Sequence, residues 1–143
     1  MAVGTYNYTW EQGDDLPVQI IYNEGETPTP VDLTTDYAVR MDIRVATVTG
    51  ALVYTFNSVD IEELDPQDTT LEVTLGATGE INIVVPRALT LIGGAVYDQI
   101  LLNQNVFFYD IFLRKISTDR QSKILQGTIT VNRSATHWLE VEV

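Results

Sequence analysis

A chain of 143 residues without Cys is long enough to bury a core without disulfides or metal, and it reads as one domain spanning 1–143. Twenty Asp and Glu against eight Lys and Arg give a net charge of −12, which argues against nucleic acid or an anionic membrane as partner, since both demand a basic surface. The opening MAVGTYNYTWEQGDD has no basic n-region and no continuous apolar run, so the expectation is a protein made in the cytoplasm and not secreted.

In chain order, Thr5 to Trp10 alternates aromatic and small polar residues, placing Tyr6, Tyr8 and Trp10 on one face of a first strand. After the Glu11-Gln12-Gly13-Asp14-Asp15 turn, Leu16, Val18, Ile20 and Tyr22 point inward, and Pro17 suits an edge or opening position. Asn23 to Pro30 reads as a Gly/Pro/Thr loop. Tyr37 to Arg44 alternates most cleanly, with Tyr37, Val39, Met41 and Ile43 inward and Ala38, Arg40, Asp42 and Arg44 on a wet outer face. Leu52 to Phe56 is a further strand, and Asp60 to Asp68, with Pro66, is an exposed acidic loop. Leu71 to Leu75 and Glu80 to Val85 flank a turn at Gly76 to Gly79. Pro86 to Ile92 is the candidate short helix, ended by Gly93-Gly94, while Ala95 to Asn103 fits either a helical turn or a strand.

Val106 to Val131 is the most informative stretch, two β-like runs joined by Ser117 to Ser122, which predicts a hairpin. Phe107, Tyr109, Ile111 and Leu113 share one face of the first run, and Val106, Phe108, Asp110 and Phe112 the other; Leu125, Gly127, Ile129 and Val131 share a face of the second. His137 to Val143 alternates again, so 133–143 is either a last strand or a C-terminal arm laid on a neighbour. These elements predict an all-β fold, an antiparallel β-sandwich or flattened barrel of seven to nine strands with one short helix.

The residues for catalysis are sparse. His137 has no second His or Cys to complete a metal shell, and no Gly-x-Ser-x-Gly elbow seats a nucleophile. Gly93-Gly94 lacks the spacing and Lys of a phosphate loop. The acids fall in loops, where a solvated carboxylate is the ordinary state, and Asp60 to Asp65 departs from the EF-hand pattern by a Leu at a ligand position. Whether the acidic 60–80 segment binds a cation is left open; no catalytic residue, cofactor or metal is assigned. The charge is uneven, with no Lys or Arg before Arg40 and five of the eight bases between Arg114 and Arg133. Solvation accounts for such a pattern, and so does a charge-matched partner.

What remains is surface for contact. Phe108 and Phe112 are either covered by a second layer of the sandwich or offered to another protein, and Trp138 poses the same choice near the chain end. The candidate interface is therefore Phe108, Phe112, Trp138, His137 and Arg133.

The order of motifs resembles a family of small β-sandwich virion proteins of tailed bacteriophages, found with tail and baseplate genes. The residues that carry it are Trp10-Glu11-Gln12-Gly13-Asp14, Pro30-Val31-Asp32-Leu33-Thr34 leading into Tyr37 to Arg44, the Gly79 to Leu91 segment, and Phe108-Tyr109-Asp110-Ile111 beside Leu125-Gln126-Gly127-Thr128-Ile129-Thr130-Val131. The sequence departs from the pattern by an acidic insertion over Asp60 to Thr78 and by the long stretch before Asn105. The resemblance implies a structural subunit of a tail, baseplate, neck or fibre attachment, located in the virion. Its partners would be other virion proteins and copies of itself, with no nucleic acid and no membrane. The alternatives are a capsid decoration protein and a carbohydrate-binding module that stacks sugars on Tyr6, Tyr8 and Trp10.

Overall fold

The computed structural model describes residues 3–25, 27, 29–45, 50–58, 73–101 and 104–133. The acidic loop at Asp60 to Asp68, the first part of the strand expected from Leu71, and the terminal segment with His137 and Trp138 lie outside the described residues.

Alternation decides the strands. They are β1 (Gly4–Thr5), β2 (Tyr8–Glu11), β3 (Leu16–Ile21), β4 (Asn23–Glu24), β5 (Thr29–Pro30), β6 (Tyr37–Val45), β7 (Leu52–Asn57), β8 (Val73–Leu75) and β9 (Glu80–Val85), then β10 (Val106–Lys115) and β11 (Arg120–Asn132). The fold is all-β and sandwich-like with one short helix. Eleven strands are described where seven to nine were expected, because β1, β4 and β5 are two-residue ladders that have no alternation to read. Thus β4 and β5 form a small hairpin inside what reads as a loop.

Six strands make the larger sheet, ordered β1-β11-β10-β6-β7 with β2 also on β11; β3-β9-β8 make the second. Both sheets contribute to one core, in which Trp10, Val18, Met41, Phe56, Ile81, Ile83, Phe107, Ile111 and Ile129 are essentially closed to solvent. Burial of side chains of this size stabilises by about 1.5–3 kcal/mol each. Pro17 lies on β3, an edge strand, where a missing N–H breaks no ladder.

The β10-β11 hairpin forms, with a tighter connection than expected. A short 3-10 turn at Ile116–Thr118 leads to Asp119 at φ 51°, and pairing resumes at Arg120. Asp tolerates the left-handed region, and its carboxylate also accepts from Arg114 Nε at 2.9 Å. The ladder shifts between Ile111 and Phe112, leaving Ile124 unopposed. That bulge buries Ile124 and leaves Leu125, expected in the core, only half-buried.

One expectation about helices changes, and one open choice is decided. Pro86 to Ile92 supplies only a 3-10 turn at Arg87–Thr90, and the ambiguous segment is the α-helix, α1 (Ala95–Leu101). The Gly pair separates them for a packing reason. Gly93 has φ +89°, and a Cβ on Gly94 would collide with the Ala88 and Leu89 carbonyls. Gly94 O then accepts from Asp98 N at 3.1 Å, opening the helix.

Candidate functional site

The larger sheet has two faces. One covers the core, and on the other the outward residues of β6, β10 and β11 line up in rows set by the register. Arg44 opposes Phe108, which opposes Thr128; Asp42, Asp110 and Gln126 form the next row; Arg40, Phe112 and Lys123 the third; Ala38, Arg114 and Gln121 the fourth. Phe108 is 41% exposed and Phe112 half-buried, so no described layer of the protein closes over this face.

The outer face of β6 is not the wet surface that its Arg-Asp-Arg alternation implies. The Asp42 side chain is 10% exposed, held by Arg40 Nε at 2.9 Å and Arg44 Nη2 at 3.3 Å, and it accepts from Thr55 Oγ1 at 2.5 Å. Three donors compensate the desolvated carboxylate. Both guanidiniums flank the carboxylate along the strand. Across the register Asp110 faces Asp42, and Lys123 Nζ lies 3.6 Å from Asp110 Oδ2 and 5.6 Å from the centroid of the Phe112 ring. The cation therefore serves both the acid and the ring.

A groove of about 410 Å³ opens on this face, bordered by Asn7, Arg44, Phe108, Asp110, Lys123 and Thr128 among others. Its N-terminal wall exists because Gly127 has no side chain. A Cβ there would overlap the Tyr6 carbonyl, and that same carbonyl accepts from Tyr109 Oη at 2.6 Å. Asn7 Oδ1 accepts from Thr128 N at 3.1 Å in place of a strand carbonyl, bridging the gap between β1 and β2. Burial first, then the neighbouring Tyr8 and Tyr6, push the Tyr109 hydroxyl far above the ordinary tyrosine range. Tyr109 thus stays a neutral donor at any physiological pH.

The aromatic run at the N-terminus divides. Trp10 is buried, with its indole N–H donating to Asp14 O at 2.6 Å, so it has no face to offer a sugar. Tyr6 is exposed and packs on Tyr8, which packs on Tyr109. Arg133 sits away from the open face. It donates from Nη2 to Ile100 O at 2.8 Å and from Nε to Asn105 Oδ1 at 3.3 Å, tying the end of β11 to the C-terminal turn of α1. His137 and Trp138 lie outside the described residues. Of the five residues expected at an interface, the fold thus brings Phe108 and Phe112 together and sets Arg133 elsewhere.

Sequence reasoning set Arg40, Asp42 and Arg44 on one outer face of their strand but did not join them, or Lys123, to the face of Phe108 and Phe112. The only local signal was an Arg-x-Asp-x-Arg alternation, which also describes a solvated strand. Among the described residues, no three His, Cys, Asp or Glu side chains converge as a metal shell. No described helix is long and apolar enough to cross a membrane.

No family model and no curated protein matches the chain. Among solved structures, NK cell receptor Nkp44, described as a triggering partner in natural cytotoxicity, is similar with 11% identity and a TM-score of 0.36, over 92% of this chain and 100% of that one. A likeness at that level transfers nothing to this chain.

Proposed function

We propose that the chain is a non-enzymatic structural subunit of a tailed-phage virion, in the tail, baseplate, neck or fibre attachment, and that it works by packing its open sheet face against neighbouring subunits. One observation carries the packing role: Phe108 points outward opposite Arg44, whose guanidinium, like that of Arg40 farther along the strand, is ion-paired with Asp42. Side chains fixed before contact lose little entropy on binding, and an exposed aromatic among them supplies the apolar anchor that interfaces favour. The virion context rests on the order of motifs from Trp10 to Val131.

The test is fractionation of phage particles from cells that express the chain with its neighbouring genes. Expected is co-sedimentation of the chain with intact particles in many copies, with a specific antibody marking one place on each particle. Label on the head would move the reading to a decoration protein. A chain found wholly in the soluble fraction would overturn both.

A carbohydrate-binding role is the second reading, favoured by the groove in which Phe108 lies beside the polar side chains of Asn7, Asp110, Gln126 and Thr128. It predicts glycan-array binding that Phe108→Ala abolishes. Virion packing predicts no glycan signal.

A further inference from the structure

The larger sheet ends on β7, and among the described residues no strand pairs with its outer edge. A groove of about 680 Å³ follows that edge. Leu52 and Val53 form one wall, Leu89 and Ile92 a second, and Ala95 and Asp98 of α1 a third, while no residue of β6 takes part, so the groove opens on the unpaired side of β7. Its lining is mostly apolar, and Ile92 is 48% exposed. An unpaired edge beside an apolar groove offers backbone partners to one more strand and a place for its alternate side chains.

The described chain ends close to this groove. Val131 N donates to Asn105 O, Phe107 pairs with Val45, and Val45 N donates to Ala51 O, so the end of β11 and the start of β7 lie at the same end of the larger sheet. Arg133 is tied there to Ile100 O of α1, one residue from Gln99, which also lines the groove. From β11 across β10 and β6 to the place beyond β7 is four strand spacings, about 19 Å. Residues 134–143 span about 33 Å when extended, so about six of them cross the sheet end and about four remain to pair.

We propose that residues 134–143 of the same chain cross the end of the sheet beside α1 and add a strand to β7, parallel to it, with Leu139, Val141 and Val143 turned into the groove. The occupant follows from sequence pattern as well as from reach. His137 to Val143 alternates, and setting Leu139, Val141 and Val143 on the groove side turns Glu140 and Glu142 away from Asp98. The other nearby segment, 59–72, begins at the far end of β7, after Ser58, and carries six acids and Pro66 in fourteen residues. Residues 134–143 of a second copy fit the same groove, but a short tether holds the chain's own segment at an effective concentration on the order of millimolar, above that of any neighbour in dilute solution. The contact is made within one chain and is independent of the virion reading.

Hydrogen exchange on the full chain, read by mass spectrometry, tests this. Amides of 139–143 should exchange more slowly than those of a free peptide of residues 134–143, and to the same degree at low and at high protein concentration. Val141→Asp in the segment and Ile92→Asp in the groove should each release that protection and speed exchange at Leu52 to Thr55, with Ile129 on β11 unchanged. The exposure of Ile92 protects the fold in that variant. Because both substitutions break one contact, the double variant should lower the thermal midpoint no further than the more damaging single one. Residues 139–143 that exchange like the free peptide, or midpoint losses that add, would overturn the docking. Protection that disappears on dilution would also overturn it, by moving the segment into the groove of a second copy. Protection that survives Ile92→Asp would overturn the choice of groove.

Discussion

Replacing Asp42 by alanine removes the one group that holds together the charged rows of the open face. The carboxylate is 10% exposed and accepts from three donors, but the donors differ in their own exposure. Thr55 is fully buried, and Arg40 and Arg44 side chains are 35% and 43% exposed. A buried hydrogen bond to a charged acceptor contributes about 1.5–3 kcal/mol, while an ion pair to a solvent-accessible guanidinium contributes roughly 0–1 kcal/mol. Thr55 Oγ1 retains a second acceptor, Met41 O at 3.3 Å, which softens its loss. Asp42→Ala should therefore cost about 2–4 kcal/mol, and Arg40→Gln or Arg44→Gln each less than about 1 kcal/mol. For a chain of this length that places the Asp42→Ala thermal midpoint roughly 5–15 °C below wild type. Urea unfolding of the three variants measures the asymmetry. If Asp42→Ala costs no more than either arginine variant, or is stabilising because Asp110 is relieved of a like charge, then Asp42 does not organise this face.

Gly127→Ala forces a Cβ against the Tyr6 carbonyl, so the N-terminal strands must lift from β11. The expected loss is about 1–3 kcal/mol, with faster amide exchange at Tyr6, whose N–H otherwise donates to Gln126 O at 3.0 Å; unchanged exchange would refute the packing argument. Trp10→Phe removes the indole donor to Asp14 O and part of a buried ring, and denaturant unfolding should show a cost of about 2 kcal/mol. The Tyr22 hydroxyl is pushed up to about 12, by burial first and then by its hydrogen bond to Glu24. Because the folded value is the raised one, its stabilisation is complete below pH 10 and is lost as pH rises to about 12; ultraviolet titration should show a late-ionising tyrosine that Tyr22→Phe removes. Asp36 behaves in the opposite sense. Ser117 Oγ donates to its carboxylate and holds it below the ordinary range, so the stabilisation is present above pH 3.8 and is lost on acidification, an acid-unfolding shift that Ser117→Ala should abolish.

Which side chains enter the core was legible strand by strand. Phe107, Tyr109, Ile111 and Leu113 are buried as the alternation requires, and so are Leu16, Val18, Met41 and Ile43, because side-chain direction along a strand is a local property with period two. The same period set Phe108 and Phe112 on the opposite face, but it could not say whether that face was covered. The bulge at Ile124 and the left-handed Asp119 escaped, and Ala95–Leu101 was left between helix and strand, since each is decided by a short segment whose local preferences are nearly balanced.

Composition and alternation alone determined an all-β, acidic molecule with a β10-β11 hairpin. The tertiary structure decided which strands are neighbours. Only the pairing of β6 with β10 sets Arg44 beside Phe108 and Asp42 opposite Asp110, residues about sixty-five positions apart in the chain. Likewise, only the pairing of β3 with β9 brings the exposed Ile21 and Val84 to one outward face of the second sheet. The physical reason is that a strand's alternation is written in its own residues, whereas its neighbours are chosen by which pairings bury the most apolar surface and satisfy the most backbone groups across the whole chain.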